Sequence, residues 1–179
     1  MRTTLYSILL LSLFACQKNS LPEYGTVKDF TFTNSDGAVF SSSALSGKVW
    51  LFNLFFTSCE GPCPLITGNL KEIYSLYKDQ PNFKILSLSV DPERDNPQKL
   101  TEYAKRFDVN PANWFFVVGP EAQMREVAIN SFKLGTQDDA KLHSNRVVLV
   151  DSEGKIRGTY LGIVPEDIKK LKSDIKRLL

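Results

Sequence analysis

The sequence is sparing with the side chains that most often build reactive sites. It has one histidine, His143, and three cysteines, Cys16, Cys59 and Cys63, in 179 residues. A metal site with more than one imidazole from a single chain is excluded, as is a scaffold held together by many disulfides. Charge of neither sign is in excess: 22 basic residues face 20 acidic ones, spread along the chain, and a net +2 gives no reason to expect nucleic acid as a partner. There is no internal repeat and no low-complexity segment. There is also no apolar run of the roughly 20 residues needed to cross a hydrocarbon core. What is present, 42% apolar and 11% aromatic residues, suffices for one compact domain with a real core.

The longest apolar stretch, Leu5 to Phe14, is about 10 residues long and lies in "MRTTLYSILLLSLFAC", behind the basic Arg2. It suits the h-region of a signal peptide. Leu13-Phe14-Ala15-Cys16 resembles the bacterial lipobox, whose cysteine is lipidated and becomes the mature N-terminus, although Phe14 is bulkier than usual at its position. An ordinary cleaved signal peptide that happens to contain a cysteine is the plainer alternative. The expected layout is a signal peptide over 1–15, a lipidated Cys16 with a polar tether over 16–25, and a domain over 26–179. That domain would face an oxidising extracytoplasmic space, lipid-anchored to a bacterial membrane, with Cys59 and Cys63 as its only thiols.

The domain alternates strand and helix patterns. "FTFTNSDGAVF" (30–40) alternates apolar and polar residues around Asn34-Ser35-Asp36-Gly37 and reads as an N-terminal β-hairpin. "KVWLFNLFF" (48–56), "FKILSLSV" (83–90) and "NWFFVVG" (113–119) read as buried strands. Helices are expected from Pro62 onward, over 96–107, from about Glu121 to Asn130, and from Pro165 to the end. A second hairpin turns at Ser152-Glu153-Gly154. The predicted fold class is α/β, a thioredoxin-like mixed sheet flanked by helices. Parallel strands at 48–56 and 83–90 bring Cys59, Cys63 and Asp91 to one sheet edge. An antiparallel strand from 146 begins at that edge, so His143 arrives there too, 80 positions after Cys63.

"FFTSCEGPCP" (55–64) could then be a redox disulfide pair, a pair of metal ligands or a structural pair. A helix N-terminus favours the thiolate, which both reactive readings need. Three features favour metal. The spacing is Cys-x3-Cys rather than Cys-x2-Cys. No proline occurs between Pro120 and Pro165, where dithiol oxidoreductases of this fold carry one. His143 stands in that place instead. Two thiolates and an imidazole suit copper, with zinc the main competitor. Asp91 is placed as a hydrogen-bond partner for His143. In "DPERD" (91–95), Pro92 suits a turn, and Asp95 or Asn96 suits a helix cap.

Together, "FFTSCEGPCP", "SVDPERDNP" and "LHSNRVVLVD" resemble the Sco/SenC family of copper-binding assembly proteins, over roughly residues 26–179. The resemblance implies that Cys59, Cys63 and His143 ligate one copper ion, Cu(I) or Cu(II). It implies a metallochaperone rather than an enzyme, which delivers copper to the dinuclear site of cytochrome oxidase or maintains that site's thiols. The implied partners are a copper-receiving oxidase subunit, thiol reductants and, through lipid, the membrane. Two departures stand out: Glu60-Gly61-Pro62 between the cysteines, and Asn96 where threonine is frequent. Neither removes a ligand. An extracytoplasmic thiol–disulfide oxidoreductase, which would use the cysteines and spare His143, is the main alternative. A peroxidase-like enzyme of the same fold, with one reactive cysteine and no metal, is the third.

Overall fold

The strand patterns resolve into seven strands of one sheet, ordered β2-β1-β5-β4-β3-β6-β7. The computed structural model describes residues 21–136, 138, 142 and 144–179. The expected signal peptide, Cys16 and His143 lie outside the described residues. In chain order the elements are β1 (Thr31–Asn34), β2 (Val39–Ser41), β3 (Val49–Phe55), α1 (Cys63–Tyr77), β4 (Phe83–Ser89) and α2 (Pro97–Arg106). They continue with β5 (Trp114–Val118), α3 (Glu121–Glu126), β6 (Arg146–Val150), β7 (Ile156–Leu161) and α4 (Pro165–Leu178). β3, β4 and β5 are parallel, whereas β1 and β6 run antiparallel to β5 and β3. Both N-terminal and C-terminal hairpins form as expected.

β3 is buried at all seven positions and serves both faces of the sheet. Trp50 and Phe52 meet Phe132 on one side, with the Phe52 and Phe132 rings stacked 3.6 Å apart. Phe55 meets Tyr103 of α2 on the other, where Tyr74 of α1 packs on Trp114. A polar line crosses the apolar sheet without loss: Ser87 Oγ donates to Asn53 Oδ1 at 2.7 Å and accepts from Trp114 Nε1 at 2.9 Å. The helix expected through Asn130 ends earlier, at Glu126, and continues as a π-helical turn over Val127–Ser131. The wider turn delivers Phe132 onto the sheet.

One detail differs from the sequence reading, and one of its alternatives is settled, at the domain's margins. The segment expected as a tether is docked from Leu21, which is buried, with Arg157 Nη1 donating to its carbonyl at 3.1 Å. Tyr24 and Gly25 continue the contact through backbone hydrogen bonds to Ile156. At α2 the cap is Asn96, whose Oδ1 accepts the Lys99 N–H at 3.0 Å, with Pro97 opening the helix. Asparagine caps as well as the threonine it replaces. Asp95 is thereby free for another role.

Candidate metal centre

β3 sends the chain to β4 on one side and finds β6 on the other. A crevice therefore opens outside its C-terminal end, where open α/β sheets commonly bind ligands. Cys59 lies in the loop after β3, half-buried, with its N–H donating to the Phe56 carbonyl at 3.2 Å to close a turn. Cys63 is the first residue of α1 and is buried. Both are free thiols, and they line the same cleft.

The helix N-terminus does not win the electrostatic contest at Cys63. Burial, and then the hydrogen bond to Cys59, push its thiol up to about 12, against backbone hydrogen bonds at Phe56 and Cys63 that pull it down. The thiolate expected at the helix end is held as a protonated thiol by this burial. Behind it, the Tyr103 hydroxyl is hydrogen-bonded to Thr67 Oγ1 at 3.0 Å, and burial above all pushes that phenol up to about 12. The wall behind the cysteines is neutral, so a cation entering the crevice must displace thiol protons to gain charged ligands.

Cys59 and Cys63 open into a cleft of about 320 Å³, lined also by Phe56, Val90, Leu142 and Ser144. Leu142 and Ser144 flank His143 in sequence. Two contacts explain why their loop comes here. β6 is antiparallel to β3 and begins at the same edge, with Val147 opposite Asn53. Gly162, just past β7, then ties the loop to α1: its N–H donates to the Asn145 carbonyl at 2.7 Å and its own carbonyl accepts from Asn69 Nδ2 at 2.8 Å. A Cβ at 162 would lie 3.0 Å from Ile66 and 3.2 Å from the Asn145 carbonyl, so the close approach favours glycine. Ser144 Oγ accepts the Arg146 N–H at 3.3 Å and sets the entry to β6.

Asp91 lines a neighbouring cleft of about 410 Å³ that shares Phe56, Val90 and Leu142 with the first. Its carboxylate accepts from Arg94 Nε at 2.5 Å. The partnership with His143 lies outside the described residues. Asp95 is the residue that sequence reasoning missed. It is only 3% exposed, and Oδ2 accepts from the Thr57 N–H at 3.0 Å and the Ser89 hydroxyl at 2.5 Å, while Oδ1 accepts from the Thr57 hydroxyl at 2.5 Å. Its place before α2 made it look like a cap; no local pattern announces a partner 38 positions away.

Among the described residues, no three His, Cys, Asp or Glu side chains are grouped so as to hold a metal ion, and no helix is long and apolar enough to cross a membrane. The described donors fit a soft cation nonetheless: two thiol sulfurs lining one cleft.

A family model described as SCO1/SenC matches residues 18–179. The chain is similar to a solved SCO1/SenC family lipoprotein from Bacillus anthracis, at 28% identity and TM-score 0.76, over 86% of this chain and 94% of that one. It is similar to BsSco, a member of the Sco family of cytochrome c oxidase assembly proteins in which a disulfide switch was identified. Here identity is 33% and TM-score 0.75, over 88% and 94% of the two chains. It is also similar to Arabidopsis thaliana ScoI with copper bound, at 25% identity and TM-score 0.67, over 86% and 98%. The likeness bears out the thioredoxin-like fold class.

Proposed function

The chain belongs to the SCO1/SenC family, and on that premise we propose that it is a copper-binding cytochrome oxidase assembly protein whose cargo is held by Cys59, Cys63 and His143. The observation that carries this reading is the single cleft lined by both thiols and by Leu142 and Ser144, the residues on either side of the only histidine. Two sulfurs and an imidazole match copper in either oxidation state. Similarity to a family member with copper bound, and to one that assembles cytochrome c oxidase, supports the same cargo and recipient. One copper ion per chain is passed to an oxidase subunit, and thiol reductants keep the pair able to receive it.

Anaerobic titration of the reduced protein tests this. One equivalent of copper should bind, with intense thiolate-to-metal absorption in the Cu(II) form. Cys59→Ala or Cys63→Ala should abolish tight binding, because the thiolates supply most of the affinity for a soft ion. A single-cysteine variant with wild-type affinity would refute the shared site.

A second reading, thiol–disulfide exchange, is favoured by the two free cysteines sharing one cleft and by similarity to a protein with a disulfide switch. It is compatible with the first, because only the reduced pair can bind metal. The anchor is a separate proposal: Cys16 carries lipid, as similarity to a family lipoprotein supports, and holds the domain on the extracytoplasmic side of a bacterial membrane. Labelled fatty acid should enter the wild-type protein and not Cys16→Ser.

A further inference from the structure

We infer that Asp95 is a positioning residue that sets the distance between the two thiols. The inference rests on the functional reading above only in taking Cys59 and Cys63 as the working pair. The loop carrying Cys59 is fixed at one end by α1, whose first residue is Cys63. Its other end, Thr57, has left β3 and no longer shares in the ladder that pairs β3 with β4. Asp95 takes over there. One carboxylate holds both the backbone and the side chain of Thr57, and through Ser89 it holds the end of β4 as well. Ser89 Oγ also accepts the Asp91 N–H at 3.2 Å, so the loop that presents Asp91 hangs on the same clamp.

The arrangement is costly unless something depends on it. Asp95 is buried, and among the described residues no lysine or arginine pairs with it; its three donors are one N–H and two hydroxyls. A carboxylate so placed accepts what a neutral side chain could not accept from all three at once. Thr57 lies two residues before Cys59, so slack at Thr57 becomes slack in the sulfur that must meet Cys63. Ligands held by a rigid supporting shell bind metal and close disulfides in one geometry; a loosened shell costs affinity without removing any donor.

The test is Asp95→Asn in the full chain, compared with Asp151→Asn, which neutralises an equally buried aspartate at the other end of the sheet. Copper affinity should fall roughly tenfold to a hundredfold in Asp95→Asn and stay unchanged in Asp151→Asn. The thiolate-to-Cu(II) absorption should shift and broaden in the first variant only. A second readout needs no copper: equilibration with glutathione. There the two thiols give two electrons and two protons to oxidised glutathione, which leaves as two thiols while the Cys59–Cys63 bond forms. That equilibrium constant should change about tenfold in Asp95→Asn, about 30 mV for a two-electron couple. If Asp95→Asn does not fold, Thr57→Val, which keeps the N–H and removes one hydroxyl, is read the same way, and Thr57→Ser should restore wild-type values. A folded variant with wild-type spectrum, affinity and glutathione equilibrium overturns the inference. If wild-type protein binds no copper but the glutathione equilibrium still moves, the copper reading fails and the positioning role stands.

Discussion

Two buried aspartates, one near each end of β3, show how differently the two poles of this sheet are built. Asp151, 6% exposed, closes the β6–β7 hairpin. Its Oδ1 accepts the Glu153 and Lys155 N–H groups, both at 2.9 Å, and its Oδ2 accepts from Arg157 Nε at 2.6 Å. Every partner is within six residues, and one is a cation. Asp95 reaches 38 residues back along the chain, binds no cation among the described residues, and holds the loop that carries Cys59. The hairpin pole is held together by local and charge-neutralised contacts. The thiol pole is held by a long-range clamp that keeps reactive side chains in register. On this contrast, loss of Asp151 should fall mainly on stability and loss of Asp95 mainly on site geometry.

The largest expected effect tests the hairpin pole. Asp151→Ala strands the Arg157 guanidinium, which also donates to the Leu21 carbonyl, and should lower unfolding free energy by about 3 kcal/mol. Copper affinity of the folded fraction should not change. Chemical denaturation and anaerobic titration on the same sample check both halves, and a parallel loss of affinity would erase the distinction between the poles.

Gly162→Ala sharpens the comparison from the thiol side. The added methyl meets Ile66 and the Asn145 carbonyl, so overpacking should cost about 1 kcal/mol. Unlike the larger loss at Asp151, this one should carry a weaker copper affinity with it, because the loop flanking His143 is displaced from α1. If thermal stability falls while affinity stays at the wild-type value, Gly162 belongs with the hairpin pole.

The smallest effect concerns the thiols themselves. Cys63 is buried and its thiol is pushed up to about 12, so the protonated form persists well above the 9.0 of an ordinary thiol. At pH 8, alkylation of reduced protein should label the half-exposed Cys59 first. Cys63 labelling should keep accelerating as pH rises past 9 toward 12, because only the thiolate attacks. Peptide mass spectrometry resolves the two sites. A Cys63 rate that levels off near pH 9 would mean that burial does not control it.

Much of this pole was legible in the sequence. The run at Val49–Phe55, apolar but for Asn53, reads as a strand buried on both faces. The parallel β3–β4 pair and the antiparallel β6 follow from the alternation of patterns, and they bring Cys59, Cys63, Leu142 and Ser144 to one edge. Tertiary energies decided the rest. Burial of Cys63 overrode the helix end, because desolvation grows with packing that no local window records. Asp95 looked like a cap because caps are local, whereas its partner Thr57 is adjacent only after β3 and β4 pair. Leu21 and Tyr24 looked like tether because their partners, Arg157 and Ile156, are at the far end of the chain.

X-ray absorption on copper-loaded protein directly counts the donors proposed for the single copper ion, Cys59, Cys63 and His143. The wild-type spectrum should require two sulfur ligands and an imidazole nitrogen, and His143→Ala should lose the imidazole while keeping both sulfurs. A shell without sulfur, or an imidazole contribution that survives His143→Ala, would contradict that donor set.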